Sequence, residues 1–161
     1  MDESQRLMEE RANWLARHLD IYLDSGGREG HIVDLTDLGG GAETPTLVLR
    51  TIGRKSGRVL FAPLIYGRDG EDFIIIASKG GMATHPAWHL NLVETPSVEF
   101  QVGETAYRGS WSVAEGAERE RLWTMMAADF PPYDEYKARA GRVIPVVRLH
   151  AEQKIPVFRR S

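Results

Sequence analysis

Three cations and a hydroxyl lie within one short segment, Gly53-Arg54-Lys55-Ser56-Gly57-Arg58, between two stretches of β-type sequence. A turn opened by glycines can direct backbone N–H groups and basic side chains at one anion, as phosphate sites do. Each charge-assisted hydrogen bond contributes roughly 1.5–3 kcal/mol, so three of them would hold a ligand at about micromolar strength. A solvated basic hairpin tip is the alternative, and the spacing alone does not separate the two.

A second chemical signal follows a strongly apolar strand, where the sequence continues as Ala77-Ser78-Lys79-Gly80-Gly81. Glycines allow a flat ligand to come close to the backbone, and a lysine there can stabilise negative charge that develops on a ring system. A helix is predicted directly afterwards, and its N-terminal N–H groups favour an anion at the same place. The alternative is an ordinary strand-to-helix turn with an exposed lysine.

This short helix is predicted to have Pro86 in its first turn, with Thr84 or His85 as its cap. Trp88 and Asn91 are three residues apart on the helix. They would offer a ring for stacking and an amide for hydrogen bonding. A place in the core is the alternative for Trp88.

Two tyrosines, Tyr133 and Tyr136, lie in "DFPPYDEY", after a predicted helix that two prolines stop. If the segment is helical, this spacing directs both hydroxyls the same way. They would then close a pocket or donate a proton. Packing of the two rings against one end of the fold is the alternative.

The sequence gives little support for metal or hydrolytic chemistry. His85 and His89 have the i, i+4 spacing of a metal pair, but no third ligand stands at recognisable spacing, so we predict no metal site. The chain has no cysteine and no G-x-S-x-G motif, which excludes thiolate sites and gives no support for a serine nucleophile. Redox chemistry would therefore need a borrowed cofactor.

Length and charge limit the class of protein further. The 161 residues fit a single domain, 1–161, with an N-terminal helix and connection over 1–44 and a barrel core over 45–150. A net charge of −3 argues against a nucleic-acid partner, because such domains are usually basic. The N-terminus lacks the apolar core of a signal peptide, and no apolar run reaches the ~20 residues of a membrane span. We therefore expect a cytoplasmic protein.

Periodicity predicts the elements that position these residues. Apolar side chains recur on one helical face of residues 7–23, at Met8, Ala12, Leu15, Leu19 and Tyr22. From Pro45 onward, short β-type runs separated by turn residues predict antiparallel hairpins in a meander. "AEGAERERLWTMMAADF" predicts another helix, and "RVIPVVRLH" predicts a last strand. Together they predict an α+β fold, a compact antiparallel barrel with helices at its ends.

The order and spacing of these motifs resemble one family, the deazaflavin-dependent nitroreductases, which use coenzyme F420. The matching segments are "TIGRKSGR", "APLIYGRDG", "IIIASKGGMATHPAWHLNL", "ETPSVEFQVG" and "FPPYDEYKARAGRVIPVV". They cover about two thirds of the chain, over residues 47–147. The resemblance implies an antiparallel split β-barrel of the FMN-binding type, with an N-terminal helix and helices packed at the barrel ends.

The resemblance also implies roles for individual residues. In similar proteins the basic loop holds the phosphate of the coenzyme, and the turn at Lys79 lies along the deazaflavin ring. The cofactor-binding residues implied in this way are Arg54, Lys55, Ser56, Arg58, Pro63, Ala77, Ser78, Lys79, Gly80, Pro86, Trp88 and Asn91. Lys79 is the candidate for stabilising negative charge on the ring, and Tyr133 and Tyr136 match positions that bind or protonate the hydride acceptor.

One departure from the family lies just after the basic loop. The family often reads Gly-x-Pro-Arg there, whereas this chain has Gly57-Arg58-Val59-Leu60, so one phosphate-binding arginine is missing or displaced to Arg58.

The implied activity is hydride transfer from reduced F420 to a planar, electron-poor acceptor such as a quinone or a nitroaromatic. The alternatives are a deazaflavin- or FMN-binding carrier without turnover of its own, and FMN in place of F420. We expect a monomer or a homodimer. The amphipathic N-terminus is compatible with peripheral contact with the inner face of the cell membrane.

Overall fold

A computed structural model describes residues 2–160, apart from the side chains of Ser4 and Met8. The expected position of Met8 on the apolar face of the first helix therefore lies outside the described residues. The four helices found in this part of the chain are α1 (Glu3–Asp24), α2 (Ala87–Leu92), α3 (Gly116–Asp129) and α4 (Pro132–Ala140). The helices expected from the sequence are confirmed, and "YDEYKARA" forms two turns of α4.

Local sequence explains where the first two helices begin. Asp2 caps α1 in a capping box, in which its side chain accepts a hydrogen bond from the Gln5 N–H and the Gln5 side chain accepts one from the Asp2 N–H. The expected cap of α2 is wrong. Pro86 itself occupies the N-cap position and no side chain caps the helix, so α2 begins at Ala87.

The strands form one antiparallel sheet. They are β1 (Ile32–Val33), β2 (Thr44–Ile52), β3 (Val59–Ile65), β4 (Gly67–Asp69), β5 (Asp72–Ile76), β6 (Val98–Val102), β7 (Thr105–Val113) and β8 (Val146–Ile155). Their order is β1-β2-β6-β7-β8-β5-β4, and β3 pairs with the other side of β2. The α+β fold with antiparallel strands is confirmed.

The simple meander is wrong, although its hairpins are present. β2 pairs with β3, β4 with β5, and β6 with β7, each across a short turn. β5 pairs with β8 instead of β6, and β6 pairs with β2. Residues 77–97 separate β5 from β6 and contain α2, so no tight turn holds these two strands together. The buried strand β5 finds an equally apolar partner in β8, where Ile75 lies opposite Val147.

Three clusters of buried side chains hold the helices on the sheet. They are represented by Ile74 with Leu122, Leu49 with Trp88, and Tyr22 with Phe158. The first cluster fixes α3 and α4, the second fixes α2, and the third fixes the C-terminal half of α1. In the described residues, no helix is long and apolar enough to cross a bilayer.

Candidate functional site

The basic loop is a tight turn between β2 and β3. The Gly53 N–H donates to the Arg58 carbonyl at 2.8 Å, and the Gly57 N–H donates to the Gly53 carbonyl at 2.9 Å. The Ser56 hydroxyl accepts from the Arg58 N–H at 3.1 Å. Gly57 has a φ of 71°, which favours glycine, and a side chain at position 53 would displace the Ser56 hydroxyl.

Asn91 lies beneath this loop and fixes it to α2. Its Oδ1 atom accepts from the Arg54 backbone N–H at 3.1 Å and from Arg54 Nη1 at 3.2 Å, while its Nδ2 donates to Thr51 Oγ1 at 3.2 Å. The side chain is only 3% exposed. We expected Asn91 to offer its amide to a ligand, but in the structure the protein itself uses that amide. Asn91 therefore acts on the site by orienting Arg54.

The charges on the loop are not neutralised by the protein. Arg54, Lys55 and Arg58 are all exposed, and in the part of the chain that the structure describes none of them pairs with a carboxylate. Elsewhere arginines are paired, as Arg50 is with Glu99 at 3.0 Å. Three uncompensated cations on a fixed turn create a local positive potential that attracts an anion.

The turn after β5 has an unusual backbone. Lys79, Gly80 and Gly81 form a 3₁₀ turn with φ values of 47°, 63° and 80°, and Lys79 is the only non-glycine residue with positive φ among residues 2–160. The Lys79 ammonium is exposed and donates to Thr84 Oγ1 at 3.2 Å. Its charge therefore stands free of any carboxylate partner in the described structure.

The two glycines of this turn face protein, which the sequence did not indicate. A Cβ on Gly81 would lie 2.8 Å from the Cα of Tyr136 on α4, and a Cβ on Gly80 would lie 3.3 Å from Arg11 Nη1 on α1. Glycine at position 81 thus allows α4 to approach the turn. This contact brings Tyr136 beside Lys79.

Two arginines of the site were missed by the sequence analysis. Arg142 donates to the carbonyls of Ala77 and Ser78 at 3.2 and 3.1 Å and to that of Met82 at 3.0 Å. Arg139 donates to the Gly80 carbonyl at 2.6 Å. Their only sequence signal is "RAGR", a pair of arginines around the glycine that ends α4.

Tyr133 and Tyr136 lie in the first turns of α4, as expected. Tyr133 is 4% exposed, and its ring contacts Phe130 and Tyr136 at centroid distances of 5.0 and 6.3 Å. Burial raises the pKa of Tyr133 well above its ordinary value, so its hydroxyl stays protonated at neutral pH. Tyr136 is only partly buried, and the Arg139 guanidinium lies over its ring at 5.5 Å. Tyr136 is the more accessible proton donor.

The remaining expected wall residues are mostly buried. Ala77 is fully buried and Trp88 is 8% exposed, both in the cluster of Leu49. Pro86 is also buried, whereas Ser78 and Pro63 are half-buried. The structure therefore leaves Ser78, Lys79 and Gly80 accessible, while Trp88 supports α2 from the core.

His85, just before α2, and His89, on α2, also contact protein groups. His85 Nδ1 accepts from Arg142 Nη1 at 3.0 Å, which places a cation where a metal ion would have to bind. His89 is buried, and burial, together with the charges of His85 and Arg142, lowers its pKa to about 4. In the described residues no group of three His, Asp or Glu side chains is placed to hold a metal ion.

Three surface depressions lie outside the basic loop and the Lys79 turn. The largest, of about 540 Å³, lies between Arg50, Arg108 and the C-terminal residues 155–158. One of the other two borders Gly30 and His31, and the other lies between α1 and residues 30–34. The candidate site is defined by the charged and polar groups of the basic loop and the Lys79 turn, and neither segment lines any of these three depressions.

Comparison with known proteins identifies the family of this chain. The family model described as F420H(2)-dependent quinone reductase matches residues 14–151. The chain belongs to this family. Among its relatives, an F420H(2)-dependent quinone reductase of Mycobacterium tuberculosis is 33% identical over 150 residues, which cover 86% of this chain and 96% of that protein.

Solved structures of family relatives share the fold. One, described as an F420-H2 dependent reductase, is 34% identical with a TM-score of 0.60 and covers 66% of this chain and 94% of its own. Another, described as a domain-swapped dimer, is 30% identical with a TM-score of 0.63 and covers 87% of this chain and 99% of its own. The expected family and the split-barrel fold are confirmed.

Proposed function

We propose that this protein transfers a hydride from reduced coenzyme F420 to a quinone. The observation that carries the proposal is the uncompensated cationic loop, which Asn91 on α2 connects to the segment that follows the Lys79 turn. Membership of the F420H(2)-dependent quinone reductase family supports the same cofactor and acceptor class.

The residues present fit a phosphorylated coenzyme. Arg54, Lys55 and Arg58 would hold the phosphate, with Ser56 as an additional hydroxyl donor and with Arg54 oriented by Asn91. Arg58 stands in for the arginine that the family often has two positions later. An exposed turn bearing three unpaired cations suits an anionic phosphate group better than a neutral ligand.

The second half of the site would line the ring of the coenzyme. Ser78, Lys79 and Gly80 would contact it directly, and the half-buried Pro63 on β3 would add to the contact, while the buried residues Ala77, Pro86 and Trp88 support this wall from behind. When bound, the coenzyme supplies the hydride from carbon C5 of its deazaflavin ring. The Lys79 ammonium and the N–H groups of its turn would stabilise negative charge at the ring.

Tyr133 and Tyr136 would contribute to the binding of the hydride acceptor. A quinone that receives a hydride also needs a proton on oxygen to become a hydroquinone. The backbone of Tyr136 lies against Gly81 of the Lys79 turn. Its hydroxyl would donate a hydrogen bond to the acceptor oxygen, which would take its proton from solvent. Tyr133, kept protonated by burial, would hold the Tyr136 ring in place.

The test is oxidation of reduced F420 by menadione, followed as the return of the absorbance of oxidised coenzyme. We expect catalysed oxidation by the wild-type protein and a fall of at least about tenfold in coenzyme affinity in Arg54→Ala. Arg28→Ala, an exposed arginine elsewhere on the surface, is the matched control. Binding of coenzyme without oxidation would indicate a carrier, and the absence of binding would overturn the proposal.

We also propose a homodimer, because a solved relative of 30% identity is described as a domain-swapped dimer. A peripheral contact with the membrane is part of the same proposal, since quinones partition into bilayers and α1 exposes Leu7, Leu15 and Ile21. Light scattering after gel filtration tests the dimer. Flotation with liposomes tests the contact, and Leu7→Glu should weaken it.

A further inference from the structure

The Lys79 turn holds a conformation that its sequence does not favour. A residue with a Cβ atom is strained in the left-handed region, and such strain persists only where the surrounding structure over-determines it. Lys79 is followed by two further residues with positive φ, Gly80 and Gly81. Something outside the turn must therefore hold it.

Arg142 is the group that joins the two ends of this turn. Its Nη2 atom donates to the carbonyls of Ala77 and Ser78, which precede Lys79, and its Nε donates to the carbonyl of Met82, which follows the glycines. Its remaining Nη1 donates to His85 Nδ1. One rigid, half-buried guanidinium thus makes four hydrogen bonds, to the carbonyls of Ala77, Ser78 and Met82 and to the His85 ring.

Other contacts to the turn are fewer or more exposed. Among the described residues, the Arg139 side chain makes one hydrogen bond to the turn, to the Gly80 carbonyl, and the Lys79 side chain makes one, to the Thr84 hydroxyl. The internal bonds of the turn, from the Gly81 N–H to Ser78 and from the Met82 N–H to Lys79, do not by themselves specify a left-handed lysine. Besides the packing of α4 against Gly81, Arg142 supplies the only side-chain hydrogen bonds in the described residues that join the segments on both sides of the turn.

We propose that Arg142 is a positioning residue that keeps the Lys79 turn left-handed and so holds the Lys79 ammonium at the cofactor site. The role of Lys79 rests on the proposed function, whereas the effect of Arg142 on the turn does not. A lysine at position 142 would keep the charge but lose the planar fork that reaches carbonyls on both sides of the turn.

The first experiment measures the turn without any cofactor. Amide hydrogen exchange at Gly81 and Met82 is compared in the wild type, Arg142→Lys and Arg142→Ala. Arg119→Ala is the matched control, because Arg119 also donates to a backbone carbonyl, that of Ile144 at 2.7 Å. We expect exchange about tenfold faster or more in both Arg142 variants and unchanged in the control. Unchanged exchange in the Arg142 variants would overturn the inference.

The second experiment is a double-mutant cycle on turnover with reduced F420 and menadione. Arg142→Lys should lower kcat about tenfold or more in the wild type and have little further effect in Lys79→Ala, because both changes remove the same positioned ammonium. Additive effects would refute a role through Lys79. If Arg142→Ala does not fold, Arg142→Lys decides. If the wild-type protein shows no turnover, the proposed function fails and the exchange experiment still decides the inference.

Discussion

Replacing Asn91 with alanine tests whether the buried amide orients the basic loop. The change removes three hydrogen bonds, two to Arg54 and one to Thr51, and leaves the Arg54 N–H without its partner. Neutral hydrogen bonds contribute about 1 kcal/mol each to stability, and a bond to a charged group contributes about 1.5–3 kcal/mol. Because Arg54 is exposed, we take the lower value for the bond to its guanidinium. We therefore expect Asn91→Ala to be destabilised by about 2–4 kcal/mol.

The decisive result is the difference between stability and coenzyme binding. Urea unfolding gives the free energy of unfolding, and titration calorimetry with F420 gives the affinity. Thr51→Val is the control, because it removes the bond to Asn91 Nδ2 and leaves both bonds to Arg54. We expect Asn91→Ala to lose at least about tenfold in affinity and Thr51→Val to lose much less. Equal affinity of Asn91→Ala and wild type would refute the idea that Asn91 orients the loop.

Three further predictions concern charge and pH. Lys79→Ala should lower turnover by about 100- to 1000-fold, more than it lowers coenzyme affinity, and steady-state kinetics with F420 and menadione would contradict this if turnover at saturating coenzyme were unchanged. Lys55→Ala and Arg58→Ala should each weaken coenzyme binding and make it less sensitive to salt, which calorimetry at two ionic strengths measures. The lowered pKa of His89, about 4 against 6.5 in the unfolded chain, means that the unfolded chain binds more protons between these values. Stability should therefore fall by about 1.4 kcal/mol per unit as pH drops through this window, and His89→Gln should flatten the slope in urea unfolding.

Local sequence signals were sufficient for most elements of the fold. The apolar periodicity that predicts α1 is contained in neighbouring residues, and so are the turn residues of the hairpins, although Ala12 and Leu15 of the predicted apolar face are exposed. The order of strands in the sheet was not predictable in this way. The pairing of β5 with β8 joins residues more than seventy positions apart, and the choice of partner depends on which buried faces match in three dimensions.

The candidate site, like the fold, was predictable only in part from the local sequence. The basic loop, the lysine and the two tyrosines were found because their residue types and spacing express a chemistry directly. The hydrogen bonds of Asn91 to Arg54 and Thr51 were not predictable, since nothing near it in sequence shows that these residues would lie within hydrogen-bond distance. Arg139 and Arg142 were missed because they bind backbone carbonyls. Every residue has such a carbonyl, so the sequence shows no particular partner for these arginines.

Residue types and short-range backbone preferences are enough to specify which chemical groups this protein carries and which helices and hairpins present them. Packing in three dimensions sets which of those groups remain accessible and which bind other parts of the protein. Ala77, Trp88 and Asn91 are buried. Lys79 is a strained, exposed cation, because the packing of the chain brings Arg139 and Arg142, which are distant in the sequence, to carbonyls around its turn.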